Sequence, residues 1–135
     1  MRIILIDDDN TTHVYHKIMM SDAGIDTKEI QTYLCAARAL EDLKQFSKDF
    51  LSDRWPDVII IDINMPLMSG WDFVDEFKNI NPLDKFPQIY LVTNSEHPND
   101  VSMAKESKYV TDIHQKFLEA EFFERLLSKE KVLTR

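Results

Sequence analysis

Asp57-Val58-Ile59-Ile60-Ile61-Asp62-Ile63-Asn64-Met65-Pro66 is the stretch on which the reading of this 135-residue chain turns. Val58 to Ile61 are four consecutive β-branched apolar residues, and they predict a short strand buried on both faces, as in the middle of a parallel sheet. The run stops at Asp62, and Asn64, Pro66, Ser69 and Gly70 then turn the chain towards a helix. In open α/β sheets ligands gather at the carboxyl ends of the strands, so an acid in this place is a site candidate. A loop-capping role is the alternative, and Asp62 alone does not choose between the two. The other strand ends do.

Outward from that strand the chain alternates between strand and helix patterns. Ile3-Ile4-Leu5-Ile6 is a second fully apolar run, ending in Asp7-Asp8-Asp9. Asn10, Thr11 and Thr12 can cap a first helix with Val14, Ile18 and Met19 on its apolar face, and Gly24 ends it. Lys28 to Leu34 alternates polar and apolar, as an edge strand does. Ala36, Leu40, Leu43, Phe46 and Phe50 recur at helical spacing, and Trp55-Pro56 is expected to stop that helix. Phe73, Val74, Phe77 and Ile80 face inward from a third helix, with Pro82 beyond it. Gln88 to Val92 is strand four, followed by Thr93. Helix four, over residues 99–106, offers only Val101, Met103 and Ala104 as apolar contacts. Strand five lies within residues 109–115, before Lys116, and Leu118, Phe122, Leu126 and Leu127 make helix five amphipathic. The tail from Lys129 to Arg135 reads as a solvated helix end.

Five strand–helix alternations predict an α/β fold, with a parallel sheet, right-handed crossovers and helices on both faces. The length suits one domain over residues 1–135 with its core over 2–128, without repeat or linker. At 44% hydrophobic and 30% charged, the composition is that of a soluble globular protein. The net charge of −8 argues against non-specific binding to nucleic acid or anionic membrane. Cys35 is the only cysteine, so no disulfide forms within the chain and a reducing compartment fits. No apolar run is long enough for a signal peptide or a membrane span, which makes the cytoplasm the expected location.

The strand ends carry the chemistry. Asp7, Asp8 and Asp9 follow strand one, Asp62 ends strand three, Thr93 follows strand four and Lys116 follows strand five. Carboxylates converging in one crevice repel one another and stay ionised together only around a cation. An all-oxygen set with few carboxylates suits Mg²⁺, an ion that keeps places for water and phosphate oxygens. A carboxylate in such a site can act as nucleophile and form an aspartyl phosphate, with a lysine ammonium neutralising the transferred group. A hydroxyl such as that of Thr93 can bond a phosphate oxygen.

With these residues the chain resembles the receiver (phosphoacceptor) domain of two-component response regulators over nearly its whole length. The family's acidic pair matches Asp7 and Asp8, its phosphorylated aspartate Asp62, its switch hydroxyl Thr93 and its lysine Lys116. Its D-x-x-M-P-x-M-x-G segment is matched by Asp62, Met65, Pro66, Met68 and Gly70. The resemblance implies a flavodoxin-like, doubly wound five-stranded parallel sheet of order 2-1-3-4-5 with five helices. It also implies Mg²⁺ held by Asp8, Asp62 and the main-chain carbonyl of Asn64, with Asp7 assisting through water. The phosphoryl group would come to Asp62 from a sensor histidine kinase or a histidine phosphotransfer protein. Output would go to a downstream protein through the face formed by helix four, strand five and helix five, in a stand-alone switch without direct nucleic-acid binding and without enzymatic turnover of another substrate.

Three positions depart from the family. Phe117 follows the lysine where Pro is usual, and a cis peptide before a non-proline residue costs about 2.5–4 kcal/mol, so a trans bond is expected. Ile113 stands three before the lysine, where an aromatic ring is common, so switching is expected to pass through backbone movement. Asn94 stands after Thr93, where small residues are usual, and is expected to narrow donor access.

Other features have plainer readings. Asp9 is expected at the helix N-terminus, favoured by the dipole. His13 and His16, three apart without a nearby cysteine, are expected at the surface rather than on zinc. His97 starts helix four, His114 lies on strand five, and Trp71 and Phe73 are core candidates. Two rival functions remain open at this level. Asp7-Asp8-Asp9-Asn10-Thr11 also fits the D-x-D-x-T opening of haloacid-dehalogenase-like phosphatases, with Asp7 as nucleophile and Asp9 as acid–base. A binding module independent of phosphorylation is the other.

Overall fold

In the computed structural model, which describes residues 1–80, 82 and 85–133 with side chains to residue 129, the central apolar runs become strands. β1 is Ile3–Ile6, β2 Ile30–Tyr33, β3 Val58–Asp62, β4 Gln88–Thr93 and β5 Asp112–Gln115. α1 is Asn10–Asp22, α2 Ala36–Lys48, α3 Gly70–Phe77, α4 Pro98–Glu106 and α5 Ala120–Leu133. The strands form one sheet in the order β2-β1-β3-β4-β5, and every pairing is parallel. This is the doubly wound, flavodoxin-like order expected from the sequence.

Side chains alternate across a strand, so a continuous apolar run fills both layers of core. Ile4, Ile6, Ile59, Ile61, Ile89 and Leu91 point to one side, where they meet Leu40 and Leu43 of α2 and Phe73 and Phe77 of α3. Ile3, Leu5, Val58, Ile60, Tyr90 and Val92 point to the other, against Met20 of α1 and Phe122, Phe123 and Leu126 of α5. Ile6 lies beside Ile61, Asp62 beside Val92 and Thr93 beside Gln115. This register brings the C-terminal ends of β1, β3, β4 and β5 to one rim.

Helix ends explain most departures from expectation. The α1 N-cap is Asp9, whose side chain accepts the Thr11 N–H at 2.9 Å, in place of Asn10–Thr12. Gly24, at φ 96°, follows the helix. The Gly24 and Ile25 amides close it by bonding the Ser21 and Met20 carbonyls. With this phase α1 buries Thr12, His13, His16 and Met20, while Val14 and Ile18 are each 52% exposed. The expected apolar face was therefore wrong, and so was the placement of the two histidines at the surface: they are 3% and 2% exposed. Burial is tolerated because Nε2 of each ring finds a backbone partner.

α2 ends at Lys48, short of Trp55-Pro56. Phe50 takes the left-handed conformation at φ 56° and is largely exposed. Its amide and that of Leu51 bond the Ser47 and Phe46 carbonyls, a closure usually built on glycine. The Lys116–Phe117 peptide is cis, where trans was expected. The tertiary bonds on either side of it, Lys116 N–H to the Thr93 carbonyl at 2.7 Å and Leu118 N–H to His16 Nε2 at 3.1 Å, set that loop against the local preference. The expected solvation of the tail over residues 130–135 lies outside the described side chains.

Candidate phosphoacceptor site

β1 delivers Asp7 and Asp8 to the rim and β3 delivers Asp62. Among the described residues these three are the group whose carboxylate oxygens could hold one metal ion, with one oxygen from each lying within 4.8 Å of the others. Asp7 and Asp62 are buried and Asp8 is exposed, so the cluster opens to solvent on one side. Asp9 turns away to cap α1.

The loop after β5 brings Lys116 over these acids. Its Nζ stands 2.6 Å from Asp7 Oδ2 and 3.1 Å from Asp62 Oδ2. Asp62 Oδ1 accepts the Asn64 N–H at 3.1 Å, and Asp7 Oδ1 accepts the Asp9 N–H at 2.9 Å. Burial pushes the Asp62 carboxyl above its ordinary value, outweighing the bonds from Lys116 and Asn64, and the Asp7 charge adds to the rise. Burial acts to lower the Lys116 ammonium, but its bonds to Asp7 and Asp62 prevail and hold it above the lysine range. Two buried carboxylates share one cation, so the crevice keeps an excess of negative charge on oxygen donors. That donor set fits a hard divalent ion.

The helix after Asp62 is held close by a glycine. Gly70 N–H donates to the Ile63 carbonyl at 3.0 Å. A Cβ on Gly70 would stand 2.9 Å from the Asp62 carbonyl oxygen and 3.1 Å from Ile63 Cα, so only glycine fits without moving the acid's backbone. Ser69 caps α3 with a reciprocal bond pair to Asp72.

Thr93, fully buried at the end of β4, donates its hydroxyl to the Ser95 carbonyl at 3.2 Å. It accepts the Asn64 side-chain amide at 3.3 Å, so the hydroxyl is linked directly to the loop that follows Asp62. Ile113 is buried in the core, and β5 presents no aromatic ring there. Asn94 is exposed, and its carbonyl accepts the Gln115 side-chain amide at 3.1 Å. Trp71, half-buried beside the core, donates its indole N–H to Asp100 of α4 at 2.9 Å. His97 caps α4 through Nδ1.

All the expected site residues therefore meet at one rim: Asp7, Asp8, Asp62, Asn64, Thr93 and Lys116. Sequence reading missed His13 and His16, whose rings bond the backbone of Asp7 and of Leu118 beside this rim. The signal for them is helical phase, since residues 13, 16 and 20 share one face of α1. Two features count against a phosphatase of the D-x-D-x-T kind: Asp9 is engaged as a helix cap, and Asp62 stands inside the acidic cluster.

Comparison with known proteins agrees with this geometry. The family model described as the response regulator receiver domain matches residues 3–127. A sensor histidine kinase, CheAY, from Helicobacter pylori is 30% identical over 112 residues, which are 81% of this chain and 13% of that protein. The chain thus spans a small part of that relative's length. A crystal structure of a two-component response regulator from Cytophaga hutchinsonii is 29% identical, superposes with a TM-score of 0.82 and covers 99% of this chain and 97% of its own. A receiver protein from Dyadobacter fermentans, 19% identical with a TM-score of 0.78 and 95% of each chain covered, shares the fold.

Proposed function

Because the chain belongs to the response regulator receiver domain family, we propose that Asp62 is the carboxylate on which this signalling switch accepts its phosphoryl group. The observation that carries the reading is the meeting of three carboxylates with the Lys116 ammonium, 3.1 Å from Asp62. The donor is a phosphohistidine, on a sensor histidine kinase or a histidine phosphotransfer protein. As an Asp62 carboxylate oxygen bonds to phosphorus, the bond from phosphorus to the donor imidazole breaks, and the imidazole leaves with its electron pair and takes up a proton. Phosphoryl transfer spreads charge over three equatorial oxygens, and catalysis consists of placing cations and donors around them.

Lys116 supplies one such cation, and Thr93 supplies a hydroxyl once it lets go of the Ser95 carbonyl. Asp7, Asp8, Asp62 and the main-chain carbonyl of Asn64 would hold Mg²⁺, which neutralises phosphoryl charge when bound. The chain assists only its own phosphorylation and dephosphorylation. No helix among the described residues is long and apolar enough to cross a membrane, and the reading sets the switch in the cytoplasm.

Output follows from the movement of Thr93. Its carbonyl accepts the Lys116 N–H at 2.7 Å, so drawing Thr93 towards the phosphoryl group pulls on the end of β5. Movement then passes through backbone to the face of α4, β5 and α5, where a downstream protein binds in a population shift between two states.

The test is treatment with acetyl phosphate and Mg²⁺ followed by intact mass measurement. The expected result is one added phosphoryl mass, absent in Asp62→Asn. No adduct, or one that survives Asp62→Asn, removes the reading.

A further inference from the structure

α1 carries two buried histidines on one face, and each reaches a different half of the site. His13 Nε2 lies 2.8 Å from the Asp7 carbonyl and 3.1 Å from the Tyr33 carbonyl. Facing two acceptors, it must carry hydrogen. The Tyr33 carbonyl also accepts the Asp7 N–H at 3.1 Å, so ring and strand ends form a closed clamp around the backbone of Asp7. His13 Nδ1 is buried without a partner, and the ring is therefore tied down at one end only.

His16, one turn further on, has the opposite arrangement. Its Nε2 accepts the Leu118 N–H at 3.1 Å, so this nitrogen is bare and the ring hydrogen sits on Nδ1. Leu118 is two residues after Lys116. Phe117 packs its ring on His16 and Tyr15, with centroids 5.9 and 5.0 Å away, and Tyr15 donates its hydroxyl to Glu119 at 2.6 Å. The segment following the lysine is thus fastened to α1 at three successive residues.

We propose that His13 and His16 are positioning residues: α1 uses them as two pins, one on the strand end bearing Asp7 and one on the loop bearing Lys116, and so sets the distance between acid and ammonium. The inference rests on the phosphoacceptor reading of that site. Neither ring touches the reacting atoms. Their effect is on where Lys116 stands, and displacements of about 1 Å in such groups can cost a hundredfold in rate.

Nitrogen NMR on the intact protein tests the geometry directly. A scalar coupling between Leu118 N and His16 Nε2, with opposite tautomers for the two histidines at neutral pH, is expected. A His16 ring protonated at Nε2 overturns the proposal. His16→Phe keeps a ring and removes the acceptor, whereas His16→Gln keeps an acceptor at similar reach. The Lys116 ammonium resonance should shift in His16→Phe and return in His16→Gln, and an unmoved resonance in His16→Phe also overturns it.

The rate of phosphorylation by acetyl phosphate should fall about tenfold to a hundredfold in His16→Phe and recover in His16→Gln. In a Lys116→Ala background the same substitution should change nothing further, since His16 acts through Lys116. An equal loss in both backgrounds overturns the proposal. His13→Phe should weaken Mg²⁺ binding, followed by Trp71 fluorescence, by about tenfold, and unchanged affinity counts against its pin. Should His16→Phe fail to fold, the coupling in the parent protein and the His16→Gln rate decide. If the parent takes no phosphoryl group, the phosphoacceptor reading fails, while the resonance measurements still decide this one.

Discussion

Lys116 Nζ lies closer to Asp7, at 2.6 Å, than to Asp62, at 3.1 Å. The ammonium therefore makes its shorter contact with Asp7, not with the proposed phosphoacceptor, and it holds together two carboxylates that would otherwise repel each other. Removing one member of a buried charge cluster leaves the others uncompensated, at a cost of about 3 kcal/mol. Lys116→Met should unfold at lower denaturant in the absence of metal. Added Mg²⁺ should restore more stability to this variant than to the parent, as read by thermal midpoints with and without the ion.

Asp62 supports the opposite expectation. Burial raises its carboxyl in the folded protein, so the charged form is the disfavoured one, and stability falls as pH rises through that value. The cost applies wherever the folded protein holds the carboxyl ionised. Asp62→Asn removes it while keeping an oxygen that can accept the Asn64 N–H. The variant should be the more stable protein without metal, with a thermal midpoint a few degrees higher, and should lose that advantage when Mg²⁺ is added. A lower midpoint would show that the Lys116 bond outweighs desolvation.

On the proposed reading, Thr93 separates chemistry from output. Its hydroxyl is engaged with Ser95 and Asn64, and Asp62 does not depend on it for any hydrogen bond shown here. Thr93→Val should still gain one phosphoryl group by mass, while the change in Trp71 fluorescence on phosphorylation is lost. Trp71 is a suitable reporter because its indole N–H is bonded to Asp100 of α4.

His16 makes stability depend on acidity. Burial lowers its pKa to about 4, with Lys116 and then His13 adding repulsion. Tyr15, Phe117 and Phe123 surround the ring. The unfolded chain binds a proton near the ordinary value of 6.5, so it gains protons first as pH falls. The neutral ring's contribution is complete above that value and is lost progressively down to about pH 4, amounting to roughly 3 kcal/mol. Between pH 7 and pH 4, denaturant unfolding should show the parent losing more stability than His16→Gln, by about this amount.

The architecture was legible where one chemical pressure acted alone. Val58–Ile61 and Ile3–Ile6 are apolar on every side chain, and only a strand covered on both faces satisfies that. Asp62, Asp7 and Asp8 were legible because acids directly after such strands must meet at one rim. α1 was misread because apolar letters alone were used to choose its buried side. The fold chose His13 and His16 over Val14 and Ile18, since ring nitrogens could complete backbone bonds at the site. The end of α2 was hidden for a related reason: Phe50 adopts a left-handed turn where glycine would have announced it. The cis bond at Lys116–Phe117 was beyond a residue-by-residue reading, because distant partners hold that loop.

Parallel strands give the molecule two unlike ends. Everything reactive gathers where the strands finish, whereas Met1, Asp57 and Gln88, beside the starts of β1, β3 and β4, line a separate cleft on the opposite side. A tether, surface support or fluorescent label attached near the short turn Ser52–Arg54 would sit a full sheet-length from the phosphate chemistry. Immobilised in that orientation, the protein could be interrogated by successive donors on a sensor chip without its working rim being screened.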